Sequence, residues 1–286
     1  MLTRRGTSLV ELIIALTLAG LVLGAAASSL LQQQRGARWA GAFGGAESQM
    51  RPLAQLLPAE LALLDAGVGD LASGAASDST LQLRAVVASS LSCDTATAVV
   101  TLLPDVTTGV AIGGIARAPI AGDSLWFYAN DSLGWQSRRV VAVGQVTASC
   151  LAPAIPSGSA YRLTLDAPVA LPGATPVRVT RQERYAVYRA SDGWWYLGLR
   201  AWSASTASFA APQPIAGPFV RSLPSGAITG FRYFDSSGSP LVPDGTNERT
   251  IARVRVSSVA LVPSLAGSDT LRRDSADVAL VRSGAF

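Results

Sequence analysis

A long uncharged stretch near the N-terminus constrains this chain more than any other feature. Residues 12–31 contain no charged side chain, and Glu11 immediately precedes them. At a rise of about 1.5 Å per residue, a helix of this length covers about 30 Å, the thickness of the hydrocarbon core of a bilayer. Arg4 and Arg5 precede the stretch, so the positive-inside rule predicts a cytoplasmic N-terminus and an extracytoplasmic location for the bulk of the chain.

An ordinary secretory signal is the main alternative for this segment. It would also have basic residues and an apolar core, and the alanines at 25–27 could serve as its cleavage site. A carboxylate is costly in lipid unless it has a partner, and a signal peptide that is degraded has no use for one. Glu11 therefore favours a segment that stays in the mature protein and pairs its acid with another group.

The residues around this acid resemble a known processing motif. The run GTSLVEL at residues 6–12 is similar to the prepilin motif of type IV pilins and type II secretion pseudopilins. The resemblance implies that prepilin peptidase cuts after Gly6 and that the new N-terminus at Thr7 is methylated. It also implies that Glu11 neutralises the Thr7 amine of a neighbouring subunit in a filament. Thr7 departs from the family, which most often has Phe there.

Two glycines lie inside the apolar stretch, where glycine costs about 1 kcal/mol relative to alanine. Gly20 and Gly24 either allow close packing between helices, as small residues do in membranes, or mark a place where the helix loosens. The family resemblance implies that the region around Gly20 melts when subunits pack into filaments.

The composition excludes several classes of chemistry. The chain has no histidine, which excludes Ser-His-Asp triads, Cys-His pairs and His-metal sites. The acids recur singly, and no Gly-rich phosphate loop follows a strand and opens a helix. We therefore predict a protein that is not an enzyme and that holds no cofactor or metal. The arginines are scattered along the chain without forming a run, which leaves a nucleic-acid partner unsupported.

One group of acids is a candidate metal site. Asp235, Asp244 and Glu248 surround a loop rich in serine and proline, and their oxygens could hold Ca²⁺. Their spacing matches no defined calcium loop. A hairpin turn with solvated acids is therefore the favoured interpretation.

The two cysteines, Cys93 and Cys150, are compatible with one disulfide in an exported chain. Two reduced thiols packed as small hydrophobic side chains are the alternative. The extracytoplasmic location predicted from the N-terminus favours the disulfide.

Beyond residue 31 the pattern becomes amphipathic at helical spacing. We expect the helix to continue to about residue 57, with Pro52 and Pro58 as kinks or breaks. Residues 67–79 are rich in Gly, Ala, Ser and Asp and read as a linking loop. The hydrophobic period then changes to two, with a hairpin turn at residues 191–193. We predict strands at residues 81–87, 98–103, 124–128, 138–146, 161–165, 177–189, 194–202, 228–234 and 251–261.

These patterns predict an α+β fold, with a long N-terminal helix, transmembrane in its first half, packed on a mainly antiparallel β-sheet head. The expected segments are a leader at 1–6, a transmembrane and assembly helix at 7–31, its amphipathic continuation at 32–66, and an extracytoplasmic head at 67–286. The order of β-elements over residues 160–265 loosely resembles the larger minor subunits of the pilin family, such as the W-type minor pilin and the J-type pseudopilin.

The resemblance implies a minor type IV pilin or pseudopilin, anchored in the inner membrane by a single pass and then built into a pilus or periplasmic pseudopilus. Its expected partners are other pilin or pseudopilin subunits, prepilin peptidase and the inner membrane. The alternatives are an exported or membrane-anchored β-rich binding protein, such as an adhesin or a DNA-uptake subunit, and an exported enzyme cleaved after Ala27.

Overall fold

The protein is described by a computed structural model that covers residues 9–65, 69–72, 74–104, 114–130, 134–148, 150, 158–172, 174–222, 226–262 and 270–280. By internal contacts the chain divides into two units. One comprises Met1–Ser48 and Ala260–Arg272, and the other comprises Gln49–Val259 and Arg273–Phe286.

A single helix, α1, runs from Leu9 to Leu61. Sequence reasoning ended it near residue 57 and expected Pro52 and Pro58 to kink or break it, but α1 passes through both prolines unbroken. Each proline removes one N–H donor from the helix. The last turns are held by burial instead, since Leu57 and Leu61 are fully buried and Leu64, one turn further, is as well.

The β-structure contains every predicted strand and five strands that the hydrophobic pattern did not predict. The ends differ from the prediction by up to about four residues, except that the first strand runs to Ala96, nine residues beyond its predicted end at residue 87. The described strands are β1 (Thr80–Ala96), β2 (Val99–Leu102), β3 (Gly114–Ile115), β4 (Ser124–Asn130), β5 (Gly134–Ala148), β6 (Gly158–Leu165), β7 (Pro176–Arg189), β8 (Trp195–Ser203), β9 (Ser208–Phe209), β10 (Gln213–Phe219), β11 (Gly230–Phe234), β12 (Pro240–Leu241), β13 (Arg253–Val262) and β14 (Thr270–Ala279). The new ones are β3, β9, β10, β12 and β14.

Six of these strands close into a ring. The pairing runs β7–β4–β5–β6–β2–β1, and β1 pairs back onto β7, with every step antiparallel. Closure removes sheet edges and encloses a core, as in small β-barrels. The buried side chains of this core are mostly branched aliphatic: Val87, Val100, Leu102, Leu125, Phe127, Val140, Leu163, Leu165, Val177 and Val179.

Outside the ring, β7 continues into a sheet extension. Its second half pairs with β1 on one side and with β8 on the other, and β10 pairs with β8. The predicted hairpin between β7 and β8 is confirmed, because Gly193 takes a positive φ of 86° in a turn closed by the Ala190 N–H donating to the Trp194 carbonyl at 2.9 Å.

A smaller antiparallel sheet of four described strands has the order β12–β11–β13–β14. Main-chain bonds tie it to the start of β1, where the Phe231 N–H donates to the Asp78 carbonyl at 2.9 Å. The segment predicted as a linking loop also contributes main-chain pairing, since Leu71 forms a bridge with Leu83 of β1. The fold is therefore α+β: an apolar N-terminal helix and a large, mostly antiparallel β-structure.

Candidate functional site

The first half of α1 is long and apolar enough to cross a membrane. Among the described residues, Leu12–Gln34 is the one helical segment with this character, with a mean hydropathy of 2.1 and none of it buried. A signal sequence near an N-terminus has the same length and composition. The segment is therefore a candidate membrane anchor by length and composition.

The predicted assembly residues lie in this part of α1. Glu11 is in the first turn of the helix, whereas Gly6 and Thr7 fall outside the described residues. The helix is continuous through Gly20 and Gly24, and a methyl group added at either would meet no atom within 4 Å. Glycines four residues apart share one helix face. The helix in this structure is therefore intact at Gly20, and two open positions line one side of it.

Within the larger unit, the last turn of α1 is fixed to the sheet by a polar cluster. The Tyr185 hydroxyl of β7 donates a short hydrogen bond to Glu60, and the Arg117 guanidinium lies 3.7 Å from Glu60. Arg117 also donates to Oε1 of Glu183 at 2.6 Å. The face of β7 that carries Tyr185 and Glu183 is therefore the face that holds the helix end.

Burial dominates the electrostatics of this cluster. Burial raises the pKa of Glu183, an effect that Arg117 opposes and the negative charge of Glu60 reinforces. The pKa of the Tyr185 hydroxyl is also raised, by burial first and then by Glu60. The Oε2 atom of Glu183 is buried and has no hydrogen-bond partner among the described residues. Buried charge of this kind is costly unless well paired.

Sequence reasoning missed this cluster, although one signal for it was present. Glu183 interrupts the apolar face of β7, where Val179, Tyr185 and Val187 lie at the same parity and are buried. A lone acid on the buried face of a period-two strand requires a cation. The identity of that cation, Arg117, follows only from the fold, because 66 residues separate the two.

Two further arginines of β7, on opposite faces of the strand, form ion pairs in the same unit. Arg178 of β7 contacts Oδ2 of Asp70 at 2.6 Å and donates to the carbonyl of Leu63, just beyond the helix, at 3.0 Å. Burial raises the pKa of Asp70, and Arg178 acts against that effect. Arg181 binds buried Asp123 through two nitrogens, at 2.7 and 2.9 Å. These pairs position the segment after α1 and the turn before β4.

The structure joins Cys93 and Cys150 in a disulfide, with the two Cα atoms 5.0 Å apart, an ordinary separation for such a bond. Cys93 lies in β1, and Cys150 follows β5. The bond links two strands that are three pairings apart along the ring.

The acids considered as a calcium site serve as hydrogen-bond acceptors within turns. Asp235 accepts from Ser237 and Ser239, and Asp244 accepts from Thr246 and Asn247. Glu248 is buried and accepts from the main-chain N–H groups of two glycines, 74 and 245, at 2.9 and 2.8 Å. Within the described ranges, no group of three His, Cys, Asp or Glu side chains is arranged to hold a metal.

Comparison with known proteins adds no relative to this description. No protein-family model, no curated protein and no solved structure matches the chain.

Proposed function

We propose that this chain is a minor type IV pilin or pseudopilin, a non-enzymatic filament subunit that prepilin peptidase processes after Gly6. The observation that carries the proposal is the combination of the GTSLVEL run with the helix that follows it. α1 begins with an apolar segment that is exposed over its described length, and it ends in residues buried against β-structure. A soluble protein would gain by burying such a segment. A membrane-stored subunit that later packs helix against helix needs it uncovered.

The proposal assigns processing to Gly6 and Thr7 and assembly to Glu11, and the chemistry of these residues fits both roles. Cleavage after Gly6 exposes a new α-amine at Thr7 on the cytoplasmic side, four residues before Glu11. An acid among aliphatic side chains is tolerated when it is paired, so Glu11 of one subunit and the Thr7 amine of the next favour a single axial register. The β-structure forms the extracytoplasmic head. Its size suits a subunit that occurs rarely, such as one near a filament tip.

The decisive experiment is intact-mass and N-terminal analysis of the protein from native membranes, with and without prepilin peptidase. We expect a mature chain that starts at methylated Thr7, and we expect it to be lost without the peptidase and in a Gly6→Val variant. Gly36→Ala is the matched control, because a methyl group at Gly36 meets no atom within 4 Å. A chain that starts near Ser28, or that keeps Met1 in the presence of the peptidase, would refute the proposal.

A second prediction separates processing from assembly. Glu11→Gln keeps the shape of the side chain but removes the charge that pairs with the amine. We expect this variant to be cleaved normally and to be recovered in sheared filaments at roughly a tenth of the wild-type level or less, since an unpaired ammonium group in an apolar interface is strongly unfavourable. Wild-type recovery of Glu11→Gln in filaments would show that the carboxylate has no assembly role.

A further inference from the structure

One face of the larger unit gathers arginines that are far apart in the sequence. Directly opposed residues in an antiparallel pair share a face, so the strand registers identify its members. Arg184 of β7 is opposite Arg200 of β8 and, on its other side, Gln82 of β1. Arg84 of β1 is opposite Gln182 of β7. These side chains lie on the strand face opposite the one that carries Glu183 and Tyr185, because successive residues of a strand point to opposite faces.

The same face continues across the strands of the ring. Trp126 of β4 is opposite Arg178 of β7, and Ser124 of β4 is opposite both Thr180 of β7 and Arg139 of β5. Trp202 follows Arg200 by two residues and is opposite Phe209 of β9. We name this set the arginine–aromatic face: Gln82, Arg84, Ser124, Trp126, Arg139, Arg178, Thr180, Gln182, Arg184, Arg200, Trp202 and Phe209.

No member of the arginine–aromatic face is acidic, and most of its cations lack an acid. Arg178 is bound by buried Asp70, which also attracts Arg84. Arg139, Arg184 and Arg200 form no ion pair within the part of the chain that the structure describes. Asp166 accepts from the main-chain N–H of Arg139 at 3.1 Å, which leaves the guanidinium available. Burial and the charge of Arg200 both lower the pKa of Arg184, as expected for cations that lie close together.

On the opposite face of these strands, the arginines are paired with acids. There Arg117 and Arg181 are bound by Glu183 and Asp123 at 2.6–2.9 Å. Arg117 and Arg181 are thus neutralised by acids, whereas Arg84 and Arg184 on the outer face lie against aromatic rings. This asymmetry leaves a positive potential on one side of the sheet.

Aromatic rings are interleaved with the cations. The guanidinium carbon of Arg84 lies 4.6 Å from the ring centre of Trp126, and that of Arg184 lies 4.2 Å from the ring centre of Phe209. Trp202 and Phe209 pack edge to face with centres 5.0 Å apart. Planar groups of both kinds, rings and guanidinium forks, offer stacking surfaces for flat ligands.

A cavity opens on this face between Arg139 and Trp202. It has a volume of about 580 Å³, and Ser203 and Ser205 supply hydroxyl groups to its wall. The turn at Gly122 packs so closely on Ala204 that a methyl group at Gly122 would lie 2.5 Å from the Ala204 Cβ, and Gly122 has a φ of 98°. Glycine therefore fixes the wall of the cavity. The volume is in the range of small-molecule sites and suits one nucleotide.

We propose that the arginine–aromatic face binds single-stranded nucleic acid, with phosphates on the arginines and one unstacked base in the cavity beside Trp202. The combination of a mainly basic surface, on which Asp70 offsets part of the charge, with interleaved rings is the arrangement that binds single strands without sequence preference. A duplex keeps its bases paired and stacked, so it cannot place one in the cavity. This activity is separate from the proposed filament role and does not depend on it.

The test uses the full-length chain in detergent and a fluorescein-labelled oligothymidylate, with anisotropy as the readout. We expect Arg139→Gln with Arg200→Gln to weaken binding by roughly tenfold and to make the salt dependence shallower by about 0.7 for each phosphate that is no longer neutralised. The matched control is Arg162→Gln with Arg232→Gln, two exposed arginines on β6 and β11. Failure of the wild-type chain to bind, or an equal loss of affinity in the control, would overturn the proposal.

A separate variant tests whether the ring of Trp202 contributes to binding. Trp202→Leu keeps an apolar side chain and removes the ring, so we expect roughly tenfold weaker binding of oligothymidylate and unchanged binding of heparin. Equal loss of affinity for both ligands, or no loss for either, would show that the face is a general polyanion surface and would refute nucleic-acid recognition. Duplex DNA that binds as tightly as the single strand would refute it as well. Circular dichroism of each variant establishes that the fold is retained.

Discussion

Glu183 has a buried carboxyl group with fewer hydrogen-bond partners than its burial requires. Arg117 donates to one of its oxygens at 2.6 Å, and Arg117 is itself about one-third exposed. The other oxygen is buried without a hydrogen bond among the described residues. A protonated carboxyl tolerates this environment better than a carboxylate does, which is the physical content of its raised pKa.

The raised pKa of Glu183 predicts how stability varies with pH. An acid whose folded pKa exceeds its unfolded value of about 4.3 stabilises the fold fully below that value and loses the contribution as pH rises through the folded pKa. Glu183→Gln carries a permanently neutral amide, so the variant does not lose this contribution to stability as pH rises. We therefore expect the melting temperature of the variant to rise relative to that of the wild type as pH increases above about 4, until Glu183 of the folded wild type has ionised.

The control for this comparison is Asp166→Asn, which removes a carboxylate from an exposed position. Thermal unfolding of the three full-length proteins across the pH series is the measurement. A constant difference between wild type and Glu183→Gln at every pH would show that the ionisation of Glu183 is not linked to folding.

At the scale of elements, the ring of strands is held by long-range pairing and by one covalent bond. β1, β2, β6 and β5 follow one another by hydrogen bonding, and the disulfide between Cys93 and Cys150 joins the first and last of these strands. Hydrogen bonds and the disulfide thus constrain the same four strands. The covalent link acts mainly by restricting the unfolded chain.

Removal of this bond should therefore weaken the ring. The bond spans a sequence separation of 57 residues, for which loop-closure entropy predicts a contribution of up to about 4 kcal/mol. We expect Cys93→Ser with Cys150→Ser to unfold at lower urea concentration than the oxidised wild type, and the wild type to match it after reduction. Reductant should not alter the double variant. Identical unfolding of the oxidised wild type and the double variant would exclude a stabilising disulfide.

The hydrophobic patterns predicted the long strands better than the short strands or the strand interrupted by prolines. Period-two runs marked the nine predicted strands, such as β7, because alternation is a local property. β3, β9 and β12 have two residues each and carry no period at all. β10 contains Pro214 and Pro218, which argue against a strand from sequence, and it is tolerated at the edge next to β8.

At the scale of the whole molecule, two features could not be predicted from the sequence: the closure of the strands into a ring and the clustering of arginines on one face. The pairing of β1 with β7 brings together Gln82 and Arg184, 102 residues apart, and no local pattern encodes that register. The arginines therefore read as scattered along the chain, although strand pairing places several of them on one face. Pro52 and Pro58 show the same limit, since burial of Leu61 outweighs their local preference.

Composition supplies a last prediction that concerns the molecule as a whole. The 286 residues contain no lysine, so the α-amino group is the one aliphatic amine that this sequence offers to an amine-reactive probe. Under the proposed function, that amine is the methylated, secondary amine of Thr7 after processing, and it pairs with Glu11 of a neighbour after assembly. We expect detergent-solubilised subunits to take up one label, mapped by mass spectrometry to the peptide that begins at Thr7.

Labelling in intact filaments should be slower by roughly tenfold or more, because an ion pair in an apolar interface keeps the amine protonated and unreactive. Filaments that dissociate in detergent should regain the faster rate, which controls for damage to the probe site. A label found on Met1, or equal rates in filaments and in detergent, would contradict the pairing of this amine with Glu11.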